Sequence, residues 1–435
     1  MHALQLPIPS ALEPTGVVPF ERRFERLCSQ TARRWLHTPR HRPSFGPRVN
    51  RWRQWLNQRH TNRFADLMES ELLSTPGEDS LASRRAWRDR LRQQLRDFGG
   101  NVMALGAAER EVIFSDAYFE ATARFAREAR AFDDELQIHD LSQALRNVWI
   151  MHLGQLLLDR ELRFTRPIFA YSMLYPYTDN FLDEATASAA AKRSFCQRLE
   201  RRLAGERLLP TSPHERSVFR LVGMIEEALP RERFSDVFQS LLAIHHAQTR
   251  SMRQDSEPLC EARILELSIA KGGASVLADG YLVAGDLEPE EVDFFFAYGV
   301  FLQLADDLQD VTADLQAGHQ TLFSRRAQLG RPLDGLTNRL IHFLDDVLAT
   351  RRFAHPRYAV LKSLIRNSCL QLIVQSAAGQ PKYFSRRYRR TLERHSLTGF
   401  AYLRRNTRSL IERGRLVDEQ LQRSAMVDSL FEALG

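Results

Sequence analysis

Lysine is nearly missing from this 435-residue chain. Of 61 basic residues only Lys192, Lys271, Lys362 and Lys382 are lysines, a bias that more often reflects a GC-rich genome than chemistry and that singles out each lysine for inspection. Cysteine is scarce too: Cys28, Cys196, Cys260 and Cys369 are scattered with no CxxC pair, which suggests neither a zinc knuckle nor a disulfide framework. They read as small buried residues. No apolar run reaches the roughly 18 residues of a membrane span, and the start of the chain lacks the apolar core of a secretory signal, so a cytoplasmic location is the default expectation. Sustained period-two alternation is also missing, which leaves no convincing strand.

What the chain does have is 43% hydrophobic residues, enough for a sizeable core, and a net charge of +7 that suits nucleic acid, an anionic membrane surface or a phosphorylated small molecule without choosing among them. Residues 1–64 hold twelve arginines against Glu13, Glu21 and Glu25, with Pro14, Pro19, Pro39, Pro43 and Pro47 among their prolines. This reads as a basic extension over residues 1–80. Within it "RVNRWRQWLNQRH" interleaves Trp52 and Trp55 with Arg48, Arg51, Arg53 and Arg59, a pattern for lipid headgroups or RNA. The plainer reading is a short amphipathic helix folded against the core with its arginines in water. From about residue 80 apolar residues recur at three and four positions, and breakers such as Gly99-Gly100, Pro230 and Pro332 cut the pattern into ten or more helices. The expectation is one large all-α domain over residues 81–435.

"GVFLQLADDLQD", residues 299 to 310, stands out because an apolar run breaks into three carboxylates with no basic residue among them. On a helix Gly299, Gln303, Asp306 and Asp310 share a stripe within an arc of about 60°, with Asp307 at its edge. Carboxylates on so apolar a helix repel one another and lose hydration, so they need a cation. Mg2+ is the natural choice, since it takes carboxylate oxygens while keeping waters and phosphates as further ligands. Gly299 is expected to leave room beside them. Asp133-Asp134 and Asp345-Asp346 lack a third acid at the right spacing and read as ordinary solvated acids. "YPYTDNFLDE" has that spacing, with Tyr175, Asp179 and Asp183 at four-residue steps and Asn180 and Glu184 beside them. Two such helices chelate ions from opposite walls of a cavity.

These residues carry a resemblance. "GVFLQLADDLQD" resembles the second aspartate-rich motif of the class I isoprenoid synthase superfamily, G-x3-Q-x2-D-D-x2-D, which Gly299, Gln303, Asp306, Asp307 and Asp310 match position by position. "TDNFLDE" is similar to the first motif, with Asn180 where trans-prenyltransferases have a second Asp. "ARILELSIAKGGASVLADGYL" resembles the segment that carries a diphosphate-binding lysine, a role that falls to Lys271. The stretch from about residue 140 to 397 resembles the bacterial group of class 1 isoprenoid biosynthesis enzymes, and Asp314 with "GHQTLFS" is similar to the tail of the second motif in squalene and phytoene synthases.

The resemblance implies an α-helical barrel in which Asp179, Asp183, Asp306, Asp307 and Asp310 bind Mg2+ and clamp the diphosphate of an allylic prenyl substrate. Lys271, Arg263, Arg146, Arg166, Gln303 and Tyr175 are the expected substrate-binding residues. An apolar wall drawn from Phe169, Tyr171, Tyr177, Phe181, Tyr281, Phe294, Phe295, Phe296, Tyr298 and Phe301 would keep water from the carbocation. His245 and His246 read as core or surface residues. The first motif is DNxxD, no GGKR-like segment marks an isopentenyl diphosphate site, and the NSE-type triad is replaced by the aspartate-rich form. These departures favour a terpene synthase acting on one allylic diphosphate, with head-to-tail or head-to-head prenyl transfer as the alternative. A non-catalytic helical protein that binds prenyl lipid or nucleic acid is the reading of another class; nucleic acid is disfavoured as a partner. Peripheral membrane contact through the extension and a homodimer complete the expectations.

Overall fold

The computed structural model describes residues 18–73, 81–183, 187–251 and 258–405, and among these all regular structure is helical. The chain begins with α1 (Phe20–His37), α2 (Arg51–Leu73), α3 (Leu81–Asn101), α4 (Ala107–Ile113) and α5 (Asp116–Phe132). It continues through α6 (Ile138–Leu157), α7 (Arg166–Asp183), α8 (Ala189–Leu203), α9 (Pro213–Ala228) and α10 (Ser235–Ser251). Then come α11 (Glu261–Ala284), α12 (Pro289–Gln309), α13 (Val311–Ala317), α14 (Leu322–Gln328), α15 (Asp334–Leu348), α16 (Ala359–Gly379) and α17 (Arg386–Glu393). The fold is all-α, as the periodicity requires. Local chemistry sets many of the boundaries. Ser115, Ser188, Ser212 and Ser385 each cap a helix start through the hydroxyl oxygen, and Gly318 closes α13 at φ 77°.

Two helices are apolar nearly all round, and a helix of that kind has to be buried. They are α11 and α12, which pack most extensively against each other at the centre of the molecule, with α10 on the far side of α11. Their approach is backbone to backbone. A Cβ on Gly299 would stand 2.1 Å from the carbonyl oxygen of Gly272, and a Cβ on Gly272 would stand 2.6 Å from that of Gly299. The space that Gly299 was expected to keep free beside the acidic stripe is therefore filled by the neighbouring helix. Phe295 and Phe296 fill comparable notches: a Cβ on Gly273 would meet the Phe296 ring at 2.4 Å, and one on Gly280 would meet the Phe295 ring at 2.9 Å.

The N-terminal residues do not behave as an extension where they are described. Leu27, Trp35 and Phe45 belong to the main core. Phe24 meets Phe296 edge-on at 5.5 Å, and Trp35, 1% exposed, meets Phe343 at 5.6 Å. Gln54 donates to the carbonyls of Glu393 and Ser396 and Asn57 donates to that of Leu397, so α2 is tied to the end of the described chain. Composition misleads here because the arginines lie on the outer faces of helices whose inner faces are apolar. Trp52 and Trp55 are the exposed pair, stacked 4.8 Å apart.

Two outcomes are expected. Gly299→Ala should lower stability by about 2 kcal/mol or more, the cost of forcing atoms into a filled core, whereas Gly379→Ala, with nothing within 4 Å of the new methyl, should leave the denaturation midpoint unchanged or raise it. Deleting residues 1–37 removes Trp35 and the α1 wall, so the truncated chain should lose its cooperative thermal transition; a truncated protein with an unchanged transition would return the segment to the status of an extension.

Candidate functional site

The acidic stripe lies at the end of α12, where the apolar helix reaches the surface. Asp306 and Asp310 open on solvent, Asp307 is buried at 6% exposure, and Asp310 both closes α12 and caps α13. Asp307 is turned against α11. Its Oδ2 accepts from the Ser268 hydroxyl at 3.2 Å and its Oδ1 from the Gln303 amide at 2.9 Å. That arrangement occupies both oxygens of Asp307 and also fixes Gln303, which was expected to bind substrate. Asp314, one turn into α13, accepts from the Thr321 hydroxyl at 3.1 Å.

Electrostatics shows which groups share this space. Although Asp306 reaches solvent, the protein packed around it strips much of its hydration and raises its carboxyl above the ordinary range; the neighbouring Asp310 raises it further, and Lys271 and Arg146 act in the opposite direction. Asp310 is raised by burial and relieved by Arg146. Burial lifts Asp307 from the ordinary 3.8 to about 7, against the Gln303 hydrogen bond, with Asp306 and Asp314 adding to the shift and Lys271 relieving it. Asp314 is pushed up to about 6 by burial, opposed by His319 and Thr321. Lys271 on α11 and Arg146 on α6 are thus the two cations of a cluster whose carboxylates outnumber them.

Tyr175 joins the second acidic segment to the first. Burial holds its hydroxyl well above the usual tyrosine range, with the charges of both Asp179 and Asp306 adding to the effect. Asp179 of α7 and Asp306 of α12 therefore act on one ring. Pro176 lies inside α7 and cannot donate, and the Thr178 hydroxyl binds the carbonyls of Leu174 and Tyr175. Asp179 accepts from the Gln248 amide of α10. Asp183 is the last residue of α7, and its side chain lies outside what is described, as does Glu184. Asn180 faces Asp140 of α6, donating at 2.7 Å.

Other expected residues are placed elsewhere. Arg166 opens α7, about 20 Å along the axis from Asp179, and pairs with Glu227 at 3.1 Å on the surface. Arg263 pairs with Glu266 at 2.7 Å, one turn along α11, and is half exposed. Neither belongs to the cluster, because each lies too far along its helix. Phe294, Phe295, Phe296, Tyr298 and Phe301 are core packing rather than cavity wall. Tyr171, Leu174, Tyr175, Leu241 and Gln248 line a cleft of only about 50 Å3 beside Asp179. His245 binds the Cys196 carbonyl and His246 pairs with Glu200, in line with structural roles. The comparison acids behave as ordinary surface groups: Asp345 pairs with Arg366 at 2.6 Å, Asp346 with Arg34, and Asp133 accepts from Tyr177.

Sequence reasoning passed over Ser268 and Gln248. Ser268 precedes Lys271 by three residues on the same helix face, a signal that was there to read; Gln248 has none, since only the fold brings α10 against α7. Among the described residues no three carboxylates, histidines or cysteines converge to hold one ion by themselves. The donor set instead suits a hard cation bound partly by protein and partly by water and a bound anion. Among the described helices none is long and apolar enough to cross a membrane.

No family model matches this chain, and no curated protein is similar to it in sequence. Among solved structures a point variant of cucumene synthase aligns over 71% of this chain and 95% of its own, at 12% identity and a TM-score of 0.34. An overlap that low carries no weight for fold or chemistry.

The raised carboxyls give the site a pH signature. A buried acid whose folded pKa exceeds its unfolded one holds a proton in the folded state that the unfolded chain has released, so stability falls as pH rises between the two values. Protein stripped of divalent ions is expected to melt at progressively lower temperature as pH climbs from 3.8 through about 7, and Asp307→Asn should flatten the upper part of that slope. A variant slope equal to wild type would place the titration elsewhere.

Proposed function

We propose that this chain is a class I isoprenoid synthase of the terpene synthase kind, which ionises one allylic prenyl diphosphate with the aid of Mg2+ and releases diphosphate. One observation carries the reading: four separate helices bring Asp306 and Asp310, Lys271, Arg146, and Asp179 with Tyr175 within electrostatic reach, in a cluster short of positive charge. Asp306, Asp310 and Asp179 would hold the metal, with water and diphosphate oxygens completing its shell. When bound, the ion supplies Lewis-acid stabilisation of the departing diphosphate.

The chain's own residues do the rest. The allylic C–O bond breaks with both electrons going to the diphosphate oxygen, and the fixed cations Lys271 and Arg146 stabilise the charge that develops there. The Tyr175 hydroxyl stays neutral at physiological pH because burial, and after it the nearby carboxylates, oppose its ionisation, so it offers a ring and a hydrogen-bond donor rather than a base. A proton then passes from a carbon beside the cation to an oxygen of the released diphosphate, and the electrons of that C–H bond form the double bond that quenches the carbocation. The cleft beside Asp179 is too small for a prenyl chain, so substrate must part α7 from α8 and α10, and the Gln248 to Asp179 hydrogen bond has to yield first.

The test is incubation of the purified chain and Mg2+ with geranyl, farnesyl and geranylgeranyl diphosphates, each with and without isopentenyl diphosphate, followed by diphosphate release and gas chromatography. Hydrocarbon from one substrate alone is expected. Asp306→Asn should lower turnover by roughly a hundredfold or more, the scale of losing a group that stabilises developing charge. Product that requires isopentenyl diphosphate would move the assignment to prenyl transfer, and absence of any release by folded protein would end it.

A further inference from the structure

A wide cavity lies on the face of α11 opposite Lys271. It is a half-open groove of about 980 Å3 between α1 and the α10, α11, α14 and α15 helices, within the roughly 300–1,000 Å3 range of small-molecule sites. α1 runs antiparallel along it. Phe20 meets Tyr281 near the end of α11, Cys28 lies within reach of the Glu266 charge, and Trp35 sits under Arg339 near the other end. The groove therefore has two unlike ends. Phe24, Leu242, Leu265 and Ile269 make an apolar wall, whereas Arg40, Arg326 and Arg339 gather from the loop after α1, from α14 and from α15.

Those arginines are short of counter-charge. Arg339 is only 8% exposed, yet it donates to the backbone carbonyls of Thr38 and Leu36 and lies 5.6 Å from the Trp35 ring. Arg326 donates to the Pro332 carbonyl at 2.7 Å. Among the described residues none of the three forms an ion pair, and Glu261 is the acid shared between Arg326 and Arg339. Both are lowered from the ordinary arginine value, first by burial and next by the charge of Arg40. The start of α11 lies at the same end, with Glu261 and Ala262 on the wall and no side chain capping its first turn, so its free N–H groups add to the positive field. Buried Arg339 and half-buried Arg326, held by backbone carbonyls and crowded by exposed Arg40, make a cationic end suited to an anion.

We propose that this groove binds a single-chain amphiphile with a phosphate head, its head on Arg40, Arg326 and Arg339 and its hydrocarbon chain along Phe24, Leu242, Leu265 and Ile269. Charge decides the head group. A dianionic phosphate offsets two of three cations and presents three oxygens to them, whereas a carboxylate brings one charge and two oxygens. The groove shares no lining residue with the Asp306 cluster, so the inference stands whether or not that cluster ionises a diphosphate.

The experiment is calorimetric titration of the full chain with dodecyl phosphate below its micelle concentration. Saturable binding at one site per chain is expected. Dodecanol and inorganic phosphate, the tail and the head alone, should each bind at least about tenfold more weakly, and so should the ester to Arg40→Gln/Arg326→Gln and to Ala243→Phe, which narrows the wall. Arg40 is exposed, so Arg40→Gln alone keeps the test decisive if the double variant fails to fold. Asp306→Asn should bind the probe as wild type does. No saturable binding, equal affinity for dodecanoate, indifference to the arginine changes, or loss of binding in Asp306→Asn would each overturn the proposal.

Discussion

The contact between Gly272 and Gly299 sets the geometry on which the candidate site depends. With no Cβ on either residue, α11 and α12 approach until the carbonyl of one occupies the place of the other's side chain. Lys271 is the neighbour of Gly272, and Gln303 lies one turn beyond Gly299, so the same contact fixes how far the ammonium stands from the acidic stripe. It also brings Ser268 to Asp307, where the hydroxyl and the Gln303 amide lock a buried carboxylate between the two helices. Larger residues at either glycine would separate lysine from aspartates and leave Asp307 with an unsatisfied oxygen, which is expensive in a core.

That geometry explains an apparent contradiction in the charge distribution. The chain carries an excess of arginine, yet its most crowded carboxylates are served by one lysine and one arginine. Elsewhere the abundant arginines are spent on local pairs, such as Arg198 with Glu215 and Arg352 with Glu291. At the end of α12 the apolar flanks exclude them, so the carboxyls there stand above their ordinary range.

How far this was legible in the sequence depends on how local each feature is. The acidic stripe on α12 needed only the helical period, and Lys271 needed only its rarity and its neighbours. The role of Gly299 was misread because a glycine on a polar stripe looks the same in sequence whether it admits a ligand or a second backbone, and the choice is made by Gly272 on another helix. Arg166 and Arg263 were drawn in by closeness along the chain, although a step of one or two residues carries a side chain to another face and ten residues carry it about 15 Å away. The aromatic run from Phe294 to Phe301 matched a cavity wall in composition, but Gly273 and Gly280 supply the notches that those rings fill. The N-terminal helices were hidden by their own arginines, since composition averages over faces that the fold separates.

α11 presents two unlike faces. Ser268 and Lys271 look toward α12 and α6, while Leu265 and Ile269 look into the groove beneath α1, on the far side of a helix that turns about 100° per residue. The contact of Gly272 with Gly299 leaves no room for a side chain between α11 and α12. Where α11 meets α6 and α7, Asn147 donates to Asp279 at 3.2 Å and Tyr171 donates to the Ser275 carbonyl at 3.3 Å, and the charge of Asp306 is felt by Arg146 and Tyr175. On the α7 side Asp179 is held by an amide from α10 and by the further contacts of its own surroundings, and on the α12 side the acidic stripe is carried by the helix that Gly272 and Gly299 bring against α11.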